Sequence, residues 1–189
     1  NRAWGWTGPV SAIAAVAIAR TAYEAALKWA KTYTGAGPYP IIRYQNVGYV
    51  LGDVAAKIEM CRAFCWKAAH YIDSHDGHGE FMGAFCKPNV TELMFEATYR
   101  CMQVVGVISY DTRFPFAKYL REAALFPIYD AGNMGMQRRR LHGILASPDF
   151  NPRAVMDNEY VEFKKTMEAV DTVPGDDAAQ PAHLVATVG

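Results

Sequence analysis

The chain has 189 residues, equal numbers of basic (19 Lys and Arg) and acidic (19 Asp and Glu) side chains, and a composition that is 51% hydrophobic and 13% aromatic. That is enough length and apolar content for one domain with a sizeable core. The zero formal charge argues against a nucleic-acid partner, which calls for a basic excess, and the longest uninterrupted apolar run, Ala12 to Ala19, is far too short for a membrane span. No leader pattern is visible, and since a chain that opens on Asn1 can be a fragment or a processed piece, the missing leader decides nothing.

Pro9 suits the first turn of a helix, where a missing N–H costs nothing, and Ala-rich sequence carries that helix to about Thr32. Gly35, Gly37, Pro38 and Pro40 end it. A second long helix starts near Ile41. Its Val47, Val50, Leu51, Val54, Ile58, Cys61, Cys65, Ala68 and Ile72 recur in steps of three and four, the mark of a buried stripe, and the polar loop from His75 to Gly79 closes it. A third helical stretch runs from about Glu80 to Ser109, with Leu93, Ala97, Cys101, Val104, Val105 and Ile108 facing inward. Pro88 either kinks it or restarts it with Asn89 as a cap. A fourth helix covers Phe116 to Leu125 and stops at Pro127. A fifth runs from near Asn133 to about Ala146, before Pro148.

Long helices joined by short turns pack as antiparallel neighbours. The expected fold is therefore all-α, an up-down antiparallel bundle over residues 1–152, followed over 153–189 by a polar helix (about Asn158 to Val170) and an extended tail rich in Pro, Asp, Gly and Ala. Cys61, Cys65, Cys86 and Cys101 form no Cys-x-x-Cys pair and read as buried apolar side chains of a protein in a reducing, cytoplasmic compartment. His70, Asp73, His75, Asp76, His78 and Glu80 make a dense polar cluster, but it spans a helix end, where such residues gather anyway, and no metal site is expected.

Asp130 stands out chemically. It lies between the apolar segment from Leu125 to Tyr129 and a helix start that leads to Arg138, Arg139 and Arg140. Partial desolvation raises a carboxyl pKa and nearby arginine charge lowers it, a balance suited to a general base. The same position also suits an aspartate that caps the next helix, and the residues alone leave both readings open.

The stretch from Tyr110 to Arg140 resembles the C-terminal signature of the acyl-CoA dehydrogenases. There, a helix with an arginine-rich face leads into Ile-Tyr-Glu-Gly-Thr and then a helix with Gln-Arg. Here Ile128-Tyr129-Asp130-Ala131-Gly132 and Gln137-Arg138 stand in those places. Asp53-Val54-Ala55-Ala56-Lys57-Ile58-Glu59 is similar to the family's Ala-Asp-Met-x-x-x-Ile/Leu-Glu run, and Gln103-Val104-Val105-Gly106 to its Gln-x-x-Gly-Gly, so the likeness extends from about Ala3 to Pro152. Asp130-Ala131-Gly132-Asn133, Arg138-Arg139-Arg140 and the run from Val105 to Tyr110 further resemble the nitroalkane oxidase branch. That branch has Asp for Glu, then Gly-Gly-Asn, then arginines, and carries a Val-Gly-x-x-Ser-Tyr run.

The resemblance implies an FAD-dependent oxidoreductase in which Asp130 removes a proton next to a thioester carbonyl or a nitro group and electrons pass to the flavin. It implies Arg138 as the partner that pairs with or holds Asp130, Thr7 at the place of a hydroxyl facing the flavin, and Gln103, Gly106 and Asn133 as cofactor contacts. Trp4 and Trp6, beside Thr7, are candidates to cover the flavin ring or ordinary buried aromatics. Four departures are visible: the oxidase branch has its partner arginine one place earlier, where this chain has Gln137; Gly35, or a place close to it, stands where the family has an arginine before the second long helix; Val107 replaces the family's second Gly; and Gly132 replaces its Thr.

The implied partners are an acyl-CoA or related small molecule, further copies of the chain or other subunits in an oligomer, and the family's N-terminal helical and middle β-domains on the same precursor or a second chain. No nucleic acid and no membrane span are expected. The readings carried forward are an acyl-CoA dehydrogenase-like enzyme, a nitroalkane oxidase, and a non-catalytic helical assembly subunit.

Overall fold

The computed structural model describes residues 2–75, 80–157 and 159, with side chains from residue 5 onward apart from that of residue 80. The expected helix from Asn158 to Val170 and the tail beyond it lie outside the described residues, as do Asp76 and His78 of the polar cluster. The chain divides into two compact units, residues 1–141 and 142–189.

The first unit is an up-down bundle. Helix α1 (Arg2–Thr32) carries a stripe of alanines, Ala12, Ala15, Ala19, Ala22, Ala26 and Ala30, every one fully buried. A short 3₁₀ turn, Ile41–Arg43, leads into α2 (Gln45–Ser74), whose Leu51, Val54, Ile58, Cys61, Cys65, Ala68 and Ile72 form the inward face that their spacing predicts. Helix α3 (Glu80–Val105) follows, then a 3₁₀ turn, Val107–Tyr110, and α4 (Phe116–Leu125). Helices α1 and α3 run in the same direction. Gly8 meets Gly83 near their starts, and Trp29, late in α1, meets Phe114, beyond the end of α3, edge-to-face with ring centroids 5.5 Å apart. Helix α2 runs against α3, pairing Cys65 with Cys86 and Lys57 with Glu96. No strand occurs among the described residues.

Two prolines behave differently from expectation. Helix α1 begins at Arg2, so Pro9 is interior rather than in the first turn. The residue at position 9 would normally donate to the Gly5 carbonyl. Here that carbonyl is packed on Gly83, where a methyl group would stand 2.7 Å from it. Pro88 neither ends α3 nor makes Asn89 a cap. The helix continues through both residues, and Asn89 Nδ2 donates to the Phe85 carbonyl at 2.7 Å, in the turn that the proline weakens.

By length and apolarity, Gly5–Thr32 would reach across a membrane, which its short uninterrupted runs do not suggest. Its alanine stripe is instead buried inside the bundle. All four cysteines are free and buried. Burial, reinforced by Cys65, pushes the Cys61 thiol up to about 11, and burial pushes Cys101 up to about 12.

In the second unit, α6 (Pro152–Met156) is capped by Asn151, whose side chain accepts from the Arg153 amide at 3.0 Å. The boundary between the units falls after Leu141, inside α5 (Arg138–Ala146).

The glycine crossing carries a stability prediction. A Cβ on Gly83 meets the Gly5 carbonyl at 2.7 Å, and one on Gly8 meets Gly83 Cα at the same distance, so backbone must move. Gly83→Ala should destabilise the chain by roughly 1–3 kcal/mol. Gly48→Ala, on an exposed face of α2 with open space around it, should stabilise it by up to about 1 kcal/mol. Denaturant unfolding of the two variants checks the opposite signs.

Candidate active site

The segment after α4 turns back on itself in an unusual way. Asp130, Ala131 and Gly132 take φ values of 54°, 65° and 51°, three successive left-handed residues. For an alanine that conformation costs roughly 1–2 kcal/mol, so the surrounding contacts must hold it. The Asn133 amide donates to the Pro127 carbonyl at 2.8 Å, closing the reversal. A π-helical turn, Gly132–Gln137, follows and passes into α5.

Asp130 does not cap that turn, whose N-cap is Ala131 with no side-chain bond. Its half-buried carboxylate is directed to α1, where Ser11 Oγ donates to Asp130 Oδ2 at 3.5 Å. Thr7 lies four residues before Ser11, one helical turn away on the same face of α1, roughly 6 Å along the axis. It is half-buried. The structure therefore brings Ser11 to Asp130 and sets Thr7 one turn away along the same helix.

Beneath the turn lies a polar network on α3. Lys87 is fully buried, with Nζ donating to Asn133 Oδ1 at 3.1 Å. Asn133 Nδ2 donates to Thr91 Oγ1 at 2.8 Å and to Glu92 Oε1 at 3.1 Å. Burial holds the Lys87 ammonium below its usual range, while the charges of Asp130 and Glu92 act in the opposite direction.

Two expected site residues are placed differently. Asn133, expected at the cofactor, is buried, and its side-chain amide is engaged by Lys87, Thr91 and Glu92, so it anchors the turn to α3. Arg138, expected to pair with Asp130, is exposed, with a guanidinium nitrogen 3.9 Å from Met134 Sδ. The wider π-helical turn brings Gln137 inward instead, and its Nε2 donates to the Asp130 carbonyl at 3.3 Å. Trp6 lines a separate apolar cavity of about 140 Å³ with Pro9, Val10, Cys65 and Trp66, away from the face that holds Thr7 and Ser11.

Gln103 and Gly106 lie at the far end of α3. Gln103 is exposed and accepts from Arg100 at 3.1 Å. Gly106 has φ 83° and open space where a side chain would be. They are sixteen or more residues beyond Lys87, roughly 24 Å along the helix, so one chain does not bring them to the Asp130 carboxylate.

Sequence reading missed Ser11, Lys87, Thr91 and Glu92. A signal existed for Lys87 and Thr91. They continue the three-and-four spacing of the buried Val90, Met94, Ala97 and Cys101, so the stripe carries a lysine at a core position.

The class that these features define is an all-helical bundle holding a half-buried carboxylate on a left-handed reversal between two of its helices. The family described as acyl-CoA dehydrogenase, C-terminal domain, matches residues 5–145, and the chain belongs to it. It is 32% identical over 141 residues to a nitroalkane oxidase of Podospora anserina, covering 72% of this chain and 32% of that protein. It is 30% identical over 127 residues to a probable acyl-CoA dehydrogenase of Mycobacterium bovis, covering 67% and 32%. A solved nitroalkane oxidase superposes with a TM-score of 0.80 at 28% identity, over 84% of this chain and 37% of that one. The roles analysed in that oxidase's reaction are those of an aspartate and of an arginine seven residues beyond it. The chain spans about a third of the length of the curated relatives it matches.

Two predictions follow from the turn and its support. Ala131→Gly should relieve the left-handed strain and stabilise the chain by roughly 0.5–1 kcal/mol, net of glycine's greater unfolded-state freedom; thermal unfolding checks it. Lys87 titrates lower in the folded chain than its ordinary 10.5, so the unfolded chain binds more protons between the two values and stability rises with pH there. Below the folded value both states are protonated and the contribution is constant. Relative to Lys87→Met, the unfolding free energy of the wild-type chain should rise as pH climbs toward the ordinary lysine value of 10.5; a flat difference would contradict the burial of a charged lysine.

Proposed function

We propose that this chain is the base-bearing helical part of an FAD-dependent oxidoreductase of the acyl-CoA dehydrogenase type. Asp130 removes a proton next to an electron-withdrawing group, and the electrons of the broken C–H bond pass to the flavin. The observation that carries the reading is the Asp130 carboxylate itself. It is held half-buried on a left-handed turn and aimed at hydroxyl-bearing α1 instead of capping the turn it precedes.

The residues present fit a flavin at this place. The carboxylate accepts one long bond from Ser11, Thr7 lies a turn away, and Ile128, Tyr129 and Met134 form an exposed apolar rim beside it. Thr7 would hold the isoalloxazine through its hydroxyl. Gln103 and Gly106, a bundle length away, would hold either the distal nucleotide of an extended cofactor or the cofactor of a second copy. FAD, when bound, supplies the two-electron acceptor.

Ser11 orients Asp130 by donating to Oδ2, which leaves Oδ1 to take the substrate proton. Asn133 and Gln137 keep the turn in place from below, through side-chain bonds to α3 and a bond to the Asp130 carbonyl. An aspartate reaches about one methylene less far than a glutamate, so the substrate carbon must approach the turn more closely. The substrate in this reading is an acyl-CoA or a related small molecule. The protein works in an oligomer, together with domains of the kind that make up the rest of its relatives, in a cytoplasmic, reducing compartment to which the four free thiols are suited.

A second reading, nitroalkane oxidase chemistry, is favoured by an aspartate in the glutamate position and by the 32% identity to the Podospora oxidase. Butyryl-CoA bleaching the flavin without oxygen supports the first reading; peroxide released from nitroethane supports the second. Asp130→Asn should slow flavin reduction by the active substrate by about 10²–10⁴-fold while the flavin stays bound. Unchanged reduction would show that Asp130 is not the base, and a protein that binds no flavin would leave an assembly subunit.

A further inference from the structure

Two thiols meet inside the bundle, away from the Asp130 turn. Cys65 on α2 and Cys86 on α3 are both buried, and Cys86 Sγ donates to Cys65 Sγ at 3.8 Å. The pairs Cys65–Cys86 and Lys57–Glu96 fix the register of these antiparallel helices. In that register Cys61 and Cys101 lie some ten residues apart, roughly 15 Å along the helices, so those two thiols do not meet.

The paired sulfurs have different surroundings. Cys86 is fully enclosed, whereas Cys65 forms part of the wall of the apolar cavity of about 140 Å³ between α1 and α2. Val10 and Trp66, which line the same cavity, are 62% and 66% exposed, so the cavity communicates with solvent. It is large enough for molecules of the size of water or a peroxide. The hydrogen bond also separates the two acidities. The Cys86 S–H holds the Cys65 thiol below its ordinary range against the effect of burial, while that bond and burial push Cys86 above it. The sulfur that solvent can reach is therefore the one that ionises more readily.

We propose that Cys65 and Cys86 are a reversible oxidation site: hydrogen peroxide entering the apolar cavity oxidises Cys65, and Cys86 resolves the product as a disulfide that ties α2 to α3. In the first step the Cys65 thiolate attacks one peroxide oxygen. An S–O bond forms, the O–O bond breaks, and the departing hydroxide takes up the proton that the thiol released; Cys65 becomes a sulfenic acid and the peroxide is reduced. In the second step the Cys86 sulfur attacks the Cys65 sulfur. The S–S bond forms, the S–O bond breaks, and the Cys86 proton leaves with the hydroxide as water. Two thiols and one peroxide become one disulfide and two waters. The sulfurs close from 3.8 Å to about 2.05 Å, by side-chain rotation and a small approach of the helices. Thiol exchange in a reducing compartment returns the pair to the free cysteines of this structure. The inference does not depend on Asp130 being the base.

The test treats the native full chain with hydrogen peroxide, removes the excess with catalase, and reads intact mass, free thiols in denaturant and a non-reduced peptide map. Wild type should lose two of its four free thiols and the mass of two hydrogen atoms. The map should join the peptides that carry Cys65 and Cys86, and dithiothreitol should restore both thiols. Loss of Cys65 should outpace loss of Cys61 and Cys101, which burial holds high, by about tenfold or more. With dimedone present, Cys86→Ala should be labelled at Cys65, and Cys65→Ala should keep Cys86 reduced and unlabelled.

Four surviving thiols in wild type would overturn the proposal. So would equal loss of all four, a bridge between any other pair, or dimedone on Cys86 in Cys65→Ala. If either variant does not fold, the wild-type map decides alone: a joined Cys65–Cys86 peptide supports the proposal, and its absence overturns it.

Discussion

The backbones of α1 and α3 touch where Gly5 and Gly8 meet Gly83, and the candidate site is built outward from that crossing. A side chain at Gly8 or Gly83 would force the helices apart. With hydrogen atoms there instead, Ser11 lies one turn beyond the crossing on α1 and Lys87 one turn beyond it on α3, on two parallel helices held at their closest approach. The turn that carries Asp130 is bonded to both helices. Its carboxylate takes the Ser11 hydroxyl, and its Asn133 side chain is engaged by Lys87 and Thr91. The alanine stripe of α1 serves the same end, since small side chains let neighbouring helices approach along its length.

Strain and support are concentrated in one segment. Two consecutive non-glycine residues in the left-handed region are unfavourable on their own and persist only where surrounding contacts over-determine the backbone. Here those contacts are the Asn133 amide on Pro127, the Gln137 side chain on the Asp130 carbonyl, and the Asn133 side chain on α3. The π-helical turn is part of the same device, because its wider coil brings Gln137 inward and leaves Arg138 in solvent. A fixed carboxylate that does not cap its own helix remains available to a reacting group.

Family membership and chemistry rest on different supports. The match over residues 5–145 and the superposition at a TM-score of 0.80 establish the bundle and its relatives. The proposed chemistry rests on this chain's own residues, above all the Asp130 carboxylate and the turn that holds it.

Much of the architecture was legible in the amino-acid order. Inward stripes in α2 and α3, the ends of α4 and the all-helical class follow from spacing in threes and fours and from prolines and glycines at the breaks, which are local properties of the chain. Asp130 was legible too, through its setting between an apolar segment and a helix start. What only the tertiary structure decided was which groups meet that carboxylate. Ser11 lies 119 residues away along the chain and Lys87 lies 46 from Asn133. Whether Gln137 or Arg138 turned inward depended on a π-helical turn that no periodicity announces. Local sequence specifies helices because their hydrogen bonds span four residues; it does not specify the distance between helices, and that distance, set by glycine on glycine, assembles the site.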